Sequence, residues 1–472
     1  MSKKHLLVAS FVVILLFIIW LFIYGVYELK SEQSSWIPTY QTEITASQIV
    51  SSSLESPVII SFETHTGTQC SDGKQYYNVD QALLNASNVC NLWIQTSTLL
   101  QIPSSTFTLN NLESLIIATN NLGTIPPQIG NLTTLLSLDI VSLRDFTSDG
   151  STFTVAENTL VKDGYFIFDR NSFTSLPPEI GNLTNLTEFQ IIGSNLQNIP
   201  PEIGNLRSLE RLTISDADLT DIPPEIADLS ALKELDLTAN NLTALPDALF
   251  SLTGLTKLDV GDNDLTSFPE SLGQLVNLNE FDPSFNHLST LPNSIGELTN
   301  LTSLYLNDNQ LINIPTTIGN LHNLQELDLG FNQLTQYPTA LSQLSELTTL
   351  AMRDNQISVI PPTIENLTNL NFLDISQNNL TNLPTELGNL KNLQQLNVAH
   401  NQISQLPDSI GNLINLTALN ISYNNLTSVP ESLANLHNLK DLYIVHDQFS
   451  QSELNKIRSL LPGTTIHTQA LP

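Results

Sequence analysis

Leucines recur along most of the chain with a period of 23 residues. The apolar frame LxxLxLxxNxL returns without insertion, with its first leucine at 186, 209, 232, 255, 278, 301, 324, 347, 370, 393, 416 and 439. Earlier and weaker copies begin at Val89, Leu112 and Leu135, and a degenerate copy begins at Asp163. The pattern therefore predicts about 16 repeats over residues 89–449.

Each repeat divides into a strand and a turn. The segment LxxLxL alternates every second residue, so its leucines face one side of a short strand. No repeat can bury its leucines alone, so stacking must build the core. The Asn after the strand, such as Asn240 or Asn263, is expected to point inward and bind backbone groups of the bend. The sequence therefore predicts an α/β solenoid, a curved horseshoe with a parallel sheet on its concave face and short helices or turns on its convex face.

The full repeat, LPxxIGNLxNLxxLxLxxNxLTxLP, resembles the 23-residue class of leucine-rich repeat proteins, which includes bacterial surface repeats and the Ras-group-related plant family. The resemblance covers residues 89–449. It implies a binding role, because this superfamily binds proteins, peptides, glycans and lipids. Leu143, Ser194 and Ala217 occupy Asn positions of the frame, so the ladder of asparagines is expected to be looser there.

One insertion interrupts the frame. Residues 144–162 lengthen one repeat to 28 residues, and the degenerate copy that follows carries Phe166, Phe168 and Asn171 in frame positions. Insertions in repeat arrays project as loops, often on a binding face. The alternative is a tolerated loop without a partner.

Both ends of the array carry candidate caps. Residues 61–88 are predicted to form an N-terminal cap, with Asn78 at the start of a short helix. After Phe449 the period stops, and residues 450–472 are predicted to form a C-terminal cap. It consists of the helix SQSELNKIRSLL and a last strand, TTIHT.

The N-terminal segment has the length and composition of a transmembrane anchor. Residues 6–27 contain no charge and suffice to cross a bilayer as a helix. Lys3 and Lys4 precede them and Glu28 follows, which places residues 1–5 in the cytoplasm and the repeats outside. Residues 28–60 are rich in Ser and Thr and are expected to form a flexible stalk. A cleavable signal peptide is the alternative, although the residues after Gly25 make a poor cleavage site.

The only two cysteines flank one short segment. In an oxidising compartment Cys70 and Cys90 are expected to form a disulfide, and two unrelated thiols are the alternative.

The charge balance and the absence of catalytic motifs narrow the function. Lys and Arg total 16 against 46 Asp and Glu, a net charge of -30, which disfavours nucleic acid and acidic partners. No Gly-rich phosphate loop and no Cys/His metal spacing occurs, so we expect no enzyme activity, no cofactor and no metal.

Carboxylates recur at the central outward position of neighbouring strands. Between the second and third leucines, successive repeats carry Asp236, Asp259, Asp282, Tyr305, Asp328, Ala351 and Asp374. Adjacent strands lie ~4.8 Å apart. Repulsion at that spacing costs about 1 kcal/mol or less per solvated pair, and a basic partner would relieve it. Asp is also frequent here in the family, so solvation of the sheet is the alternative.

Three aromatic residues on consecutive repeats, Phe285, Tyr305 and Phe331, interrupt this run of acidic residues. Their positions are predicted to face away from the core. Exposed aromatics suggest an anchor site, and stray surface apolarity is the alternative. The predicted ligand-binding residues are Asp236, Asp259, Asp282, Phe285, Tyr305, Asp308, Asp328, Phe331 and Arg353.

The sequence thus predicts a membrane-anchored surface recognition or adhesion protein that binds a basic, partly apolar protein or peptide. Two alternatives remain. The chain could be the ligand-binding subunit of a receptor complex that signals through a partner, or an intracellular scaffold if residues 6–27 are not inserted.

Overall fold

The computed structural model describes residues 75–77, 79–84, 86–96, 99–142, 160–162, 165–167, 170–445 and 448–468. The strands in these ranges are β1 (Gln75–Tyr76), β2 (Asn91–Gln95), β3 (Ser114–Ala118), β4 (Ser137–Val141), β5 (Leu160–Lys162), β6 (Tyr165–Ile167), β7 (Glu188–Ile192), β8 (Arg211–Ser215), β9 (Glu234–Asp236), β10 (Lys257–Asp259), β11 (Glu280–Asp282), β12 (Ser303–Tyr305), β13 (Glu326–Asp328), β14 (Thr349–Ala351), β15 (Phe372–Asp374), β16 (Gln395–Asn397), β17 (Ala418–Asn420), β18 (Asp441–Tyr443) and β19 (Thr465–His467).

All of these strands except β5 and β6 belong to one parallel sheet of seventeen strands, and they follow one another in chain order. The described helices are short. Two are α-helices, α1 (Val79–Leu83) and α2 (Gln451–Leu460). The others are 3-10 helices at Ala86–Asn88, Ser104–Thr108, Pro127–Asn131, Pro178–Asn182, Pro201–Asn205, Pro224–Asp228, Asp247–Ser251, Glu270–Gln274, Asn293–Glu297, Thr316–Asn320, Thr339–Gln343, Pro362–Asn366, Thr385–Asn389, Asp408–Asn412 and Glu431–Asn435.

The leucines of the frame form one continuous core between the sheet and the 3-10 helices. Within one repeat, Leu232, Leu235 and Leu237 are at most 1% exposed, and the same positions are buried in the other complete repeats. A proline stands directly before most of the 3-10 helices, as Pro384 does before Thr385–Asn389. Its fixed φ favours the entry into a helix. The predicted solenoid of parallel strands and short convex turns is confirmed.

The asparagine after each strand ties two repeats together from inside the bend. The amide of Asn263 donates to the carbonyls of Leu237, 3.0 Å away, and Val260, 3.1 Å away. Its Oδ1 accepts the backbone N–H of Leu242 at 3.0 Å. The same donors recur at every 23rd residue from Asn240 to Asn424. This inward role was predicted.

A second asparagine ladder runs along the surface and was not predicted. The side chain of Asn277, directly before the first leucine of its repeat, donates to the carbonyl of Thr253 at 2.8 Å. Asn300, Asn323 and Asn369 make the same bond to the preceding repeat. These amides are exposed, so water can replace each bond that is lost.

The insertion is larger than predicted, and the degenerate repeat from Asp163 is not a repeat. Strand β4 pairs directly with β7, so that segment adds no strand to the sheet. Strands β5 and β6 instead form a separate antiparallel pair. Asn171 takes the ladder position of the interrupted repeat, because its Oδ1 accepts the N–H of Leu122 at 3.0 Å.

The chain therefore leaves the regular repeat after Ser142 and resumes it at Asn171. The first leucines on either side, Leu135 and Leu186, are 51 residues apart, which is 28 more than the period. The described sheet thus holds fifteen repeat strands, β2–β4 and β7–β18, between two cap strands. Leu143, which was assigned to the ladder, belongs to the insertion and lies outside the described residues.

The ladder is looser where the frame lacks asparagine. Ala217 offers no acceptor to the preceding repeat, so the N–H of Leu196 bonds to Ser194 Oγ at 3.4 Å instead. This is longer than the 2.9–3.0 Å that most ladder bonds of this kind show.

Both predicted caps contain the expected elements. Helix α1 buries Val79 and Ala82, whereas Asn78 lies outside the described residues. Helix α2 is capped by Ser450, whose Oγ accepts the N–H of Glu453 at 3.1 Å, and β19 pairs with β18. The predicted anchor, 6–27, and stalk, 28–60, lie outside the described residues. Among the residues that are described, no helix combines the length and apolarity that a membrane crossing requires.

The two ladders should differ sharply in what they contribute to stability. Asn263→Ala leaves a buried N–H and several carbonyls without partners, and should lower the free energy of unfolding by about 2–4 kcal/mol. Asn277→Ala removes one exposed bond and should cost less than about 0.5 kcal/mol. Urea denaturation followed by circular dichroism measures both. Equal losses would contradict the assignment of the inner ladder as the main tie between repeats.

Candidate functional site

The candidate site lies on the sheet face directed away from the leucine core, which we call the concave face. On this face Asp259 stands in register between Asp236 and Asp282. Further along, Tyr305 stands beside Asp328. The predicted column is therefore present, with its members on neighbouring strands.

The carboxylates of this column are not the solvated groups that the sequence suggested. Asp236 and Asp259 are only 8% and 4% exposed, and Asp282 and Asp328 are half-buried. Each accepts the backbone N–H two residues further on, as Asp259 does from Gly261 at 3.1 Å and Asp328 from Gly330 at 2.8 Å. Such a bond closes the bend after the strand, in the manner of an Asx turn.

In later repeats, asparagine accepts the same bond from the backbone. Asn397 and Asn420 occupy the same column, and their Oδ1 atoms accept the N–H groups of Ala399 and Ser422. Where the column carries Asp or Asn, the side chain therefore serves as an acceptor for the bend, and this role does not depend on a negative charge. The column contributes to the fold first and to the surface potential second.

Burial makes several of these carboxylates weaker acids. It raises the pKa of Asp282 to about 6, against the opposing bonds from Ser284. It likewise raises the pKa of Asp328 to about 6, opposed by the N–H of Gly330 and the charge of Arg353. For Asp259, burial and the neighbouring Asp282 raise the pKa well above its usual value. The charge of the column therefore changes between mildly acidic and neutral pH.

Tyr305 is fixed on the concave face by its hydroxyl. The side chain is half-buried, and the hydroxyl donates to the carboxylate of Glu326 on the next strand at 2.7 Å. Burial and this bond raise the pKa of Tyr305 above its ordinary value, so the residue stays neutral. A held ring loses little freedom when a ligand packs against it.

A second column lies at the bend, directly before the inner asparagines, and its backbone is left-handed. The residues with positive φ are Asp216, Ala239, Asp262, Phe285, Asp308, Phe331, Asp354, Gln377, His400 and Tyr423, all between 49° and 54°. Bulky side chains rarely adopt this conformation. Sequence reasoning placed three of these residues at the site but missed the conformation. The available signal was their constant place one residue before the ladder position, which is asparagine after all of them except Asp216.

Within this column an acidic–aromatic patch stands out, formed by Asp262, Phe285, Asp308, Phe331 and Asp354. Asp262, Phe285 and Asp354 are exposed, and the other two are half-buried. The guanidinium of Arg353 lies over the ring of Phe331, 4.5 Å from its centroid. The structure thus brings together the predicted residues Phe285, Asp308, Phe331 and Arg353 in one patch, whereas Tyr305 lies in the central column.

The concave face is not open along its whole length. In β3 and β4 all five residues are buried, including Ile116 at 4% and Val141 at 2%, which lie outside the leucine core cluster. In β7 the outward residues Glu188, Gln190 and Ile192 are half-buried. The covered outward face of β3 and β4 therefore separates β2, where Gln95 is exposed, from the longer section of the concave face that begins at β7.

The predicted disulfide falls partly outside the described residues. Cys90, directly before β2, is disulfide-bonded, and Cys70 is not among the described residues. Their pairing stays a prediction.

Comparisons with known proteins agree with this architecture. Family models described as leucine-rich repeat match residues 111–132, 207–265, 230–288 and 299–357, and a leucine-rich repeat region model matches 358–461. A leucine-rich repeat protein of Leptospira interrogans is 31% identical, with a TM-score of 0.68, over 83% of this chain and 99% of that one. No curated protein matches the sequence.

Two further solved structures are similar at lower identity. An internalin from Listeria monocytogenes is 27% identical, with a TM-score of 0.56, over 62% of this chain and 83% of that one. The plant peptide hormone receptor RGFR1 in complex with RGF2 is 27% identical, with a TM-score of 0.60, over 84% of this chain and 68% of that one.

The buried carboxylates predict an inverted pH dependence of stability. Because the folded pKa of Asp282 and Asp328 is raised to about 6, the native state holds these protons more tightly than the unfolded chain. Their contribution is present at low pH and is lost as pH rises through about 6. The melting temperature should therefore fall between about pH 4 and pH 6.5, from the ordinary pKa of an aspartate to just above the raised one.

The double variant Asp282→Asn, Asp328→Asn keeps the acceptor oxygens and removes the titration, so it should flatten this decline. Glu346→Gln, which removes an exposed carboxylate, is the control and should follow the wild type. A double variant with the unchanged wild-type pH profile would show that other groups cause the dependence.

Proposed function

Because the chain belongs to the leucine-rich repeat family, we propose that it is a recognition protein that binds a basic, partly apolar protein or peptide on the open section of its concave face. The observation that carries this proposal is the acidic–aromatic patch. It places the exposed ring of Phe285 and the half-buried ring of Phe331 beside exposed carboxylates, at the bend that borders the concave face. Exposed aromatics within a charged surround are typical of interface anchors.

The local charge balance supports a basic ligand. Near the patch, Lys257 is paired with Glu280 at 2.7 Å, and Arg353 lies over Phe331. The carboxylates of Asp262 and Asp354 remain exposed, as does that of Glu234. Because the carboxylates of the central column are mostly engaged with their own bends, the exposed flanking acids would steer the ligand.

The similar structures support binding as the general role. The similar receptor RGFR1 was solved in complex with RGF2. A second plant receptor ectodomain was solved in complex with CASPARIAN STRIP INTEGRITY FACTOR 2. We extend to this chain only the use of the solenoid for binding a protein or peptide. A binder, rather than an enzyme, is the function that this fold and these neighbours favour.

We further propose that the chain is anchored in the cell membrane by residues 6–27, with the repeats outside. The uncharged segment and the lysines before it support this arrangement. In this arrangement the chain acts in surface recognition or adhesion. As the ligand-binding subunit of a receptor complex it would pass its signal through a partner.

The anchor can be tested on intact cells. The full chain should sediment with membranes, and protease added outside should degrade the repeats while the cells remain sealed. Cells that are permeabilised first provide the control for a cytoplasmic marker, which should survive in sealed cells only. Repeats that survive in sealed cells would reverse the topology and favour the intracellular scaffold.

The binding face can be tested with linear peptides selected from a random displayed library on the full chain. Selected peptides should be basic and partly apolar. Tyr305→Ala should weaken them by about 2 kcal/mol or more, mainly through faster dissociation, because it removes a held ring. Tyr305→Phe keeps the ring and should retain most of the affinity.

Ile414→Ala is the control, since Ile414 is a 53% exposed apolar residue in the turn between a 3-10 helix and a strand, outside both columns. Surface plasmon resonance gives both rate constants for each variant. Peptides that bind Tyr305→Ala and wild type with the same constants would place the ligand elsewhere.

A further inference from the structure

The left-handed column contains the same arrangement twice, an aromatic ring with an acidic residue on the repeat at either side. The first unit is Asp262, Phe285 and Asp308, and the second is Asp308, Phe331 and Asp354. Backbone bonds between repeats continue through this column, as from Asp262 N–H to the carbonyl of Ser284 at 3.0 Å. Each step along the column is therefore close to a strand spacing of ~4.8 Å.

The second unit holds a guanidinium that the chain itself supplies. Arg353 lies over Phe331, with its central carbon 4.5 Å from the ring centroid. Its charge acts on the carboxylates around it: burial raises the pKa of Asp354, and Arg353 opposes that shift. A planar guanidinium can stack on a ring while its edges face carboxylates, which an ammonium group cannot do.

The first unit lacks such a residue. The position two repeats before Arg353 is Asn307, whose side-chain amide donates to Asp308 at 3.1 Å. Phe285, which corresponds to Phe331, is 38% exposed and is among the few large apolar side chains that are exposed in the described part of the chain. Phe285 thus presents an exposed ring in a left-handed backbone conformation, in a column where the other residues with positive φ are Asp, Ala, Gln, Phe, His and Tyr.

We propose that the unit of Asp262, Phe285 and Asp308 binds an arginine side chain of the ligand, in the place that Arg353 takes on Phe331. The inference rests on the proposed function and names one chemical group that the ligand must present. The ligand's guanidinium stacks on the exposed face of Phe285, and the acidic residues on either side balance its charge. A lysine in the same place would offer a charge without the plane and would bind less well.

The test uses the purified full chain and N-acetyl-arginine methylamide as the probe, with binding followed by saturation-transfer NMR. Wild type should bind one probe molecule at this place. N-acetyl-citrulline methylamide has nearly the same shape without the charge and should not compete. Phe285→Asn should weaken binding by roughly fivefold, since it removes the cation–π contact. Because asparagine tolerates positive φ, this variant should melt at or above the wild-type temperature.

Asn307 and Arg353 occupy equivalent positions of the two units, so exchanging the residue types at these positions gives two matched variants. Asn307→Arg supplies the first unit with a guanidinium from the chain, so the probe should lose its site although every carboxylate remains. Arg353→Asn vacates Phe331, so the number of bound probe molecules should rise from one to two. A general attraction of cations to the acidic surface predicts only modest changes, weaker binding in Asn307→Arg and stronger binding in Arg353→Asn, and no change in the number of saturable sites.

The inference is overturned if wild type does not bind the probe, or if Asn307→Arg and Phe285→Asn bind it as wild type does. Its failure is distinct from failure of the proposed function. Selected peptides that respond to Tyr305→Ala but are indifferent to Phe285→Asn would leave the concave face as the binding surface and remove only the arginine site.

Discussion

The stacking of repeats at a fixed spacing is the constraint on which the rest of the molecule depends. A single repeat has one short strand and one turn of 3-10 helix, and its leucines are covered only when neighbours lie on both sides. The inner asparagines hold that spacing through the bend, where strand pairing ends, because each amide bonds to its own repeat and to the one before. Side chains at one position of the frame therefore form straight columns, and the charge and apolarity of the surface are set column by column.

The frame could be read from the sequence because it rests on residues with one role each. A leucine at a fixed interval has no explanation other than a core, and an asparagine after a strand is a strong indicator of a bend. The same simplicity misled the interpretation of the insertion. Phe166, Phe168 and Asn171 imitate a repeat, and only the pairing of β4 with β7 shows that Asn171 completes the previous one. An insertion longer than one period can be divided in more than one way.

The candidate site was harder to predict because aspartate serves two purposes at a strand end. In the sequence, an aspartate with a solvated carboxylate cannot be distinguished from one whose carboxylate closes the next bend. Asp259 and Asp282 proved to be of the second kind, as the bonds to Gly261 and Ser284 show. The left-handed bend was likewise hidden, since the residues there are Asp, Ala, Phe, Gln, His and Tyr and share no single chemical character. Their constant place before the ladder asparagine marks them as one column, but the left-handed conformation is shown only by the backbone.

The buried outward face of β3 and β4 limits the length of sheet along which a ligand could lie. The strands from β7 to β18 span ~53 Å at the usual strand spacing, which is the length of an extended segment of about 16 residues. A longer segment would have to leave the groove at β7, where the covered section begins, or continue past β18 over the C-terminal cap. On the proposed function, the face would therefore limit the length of a bound segment as well as select its chemistry. The acidic–aromatic patch lies near the middle of that span, where a bound segment has the fewest ways to fray.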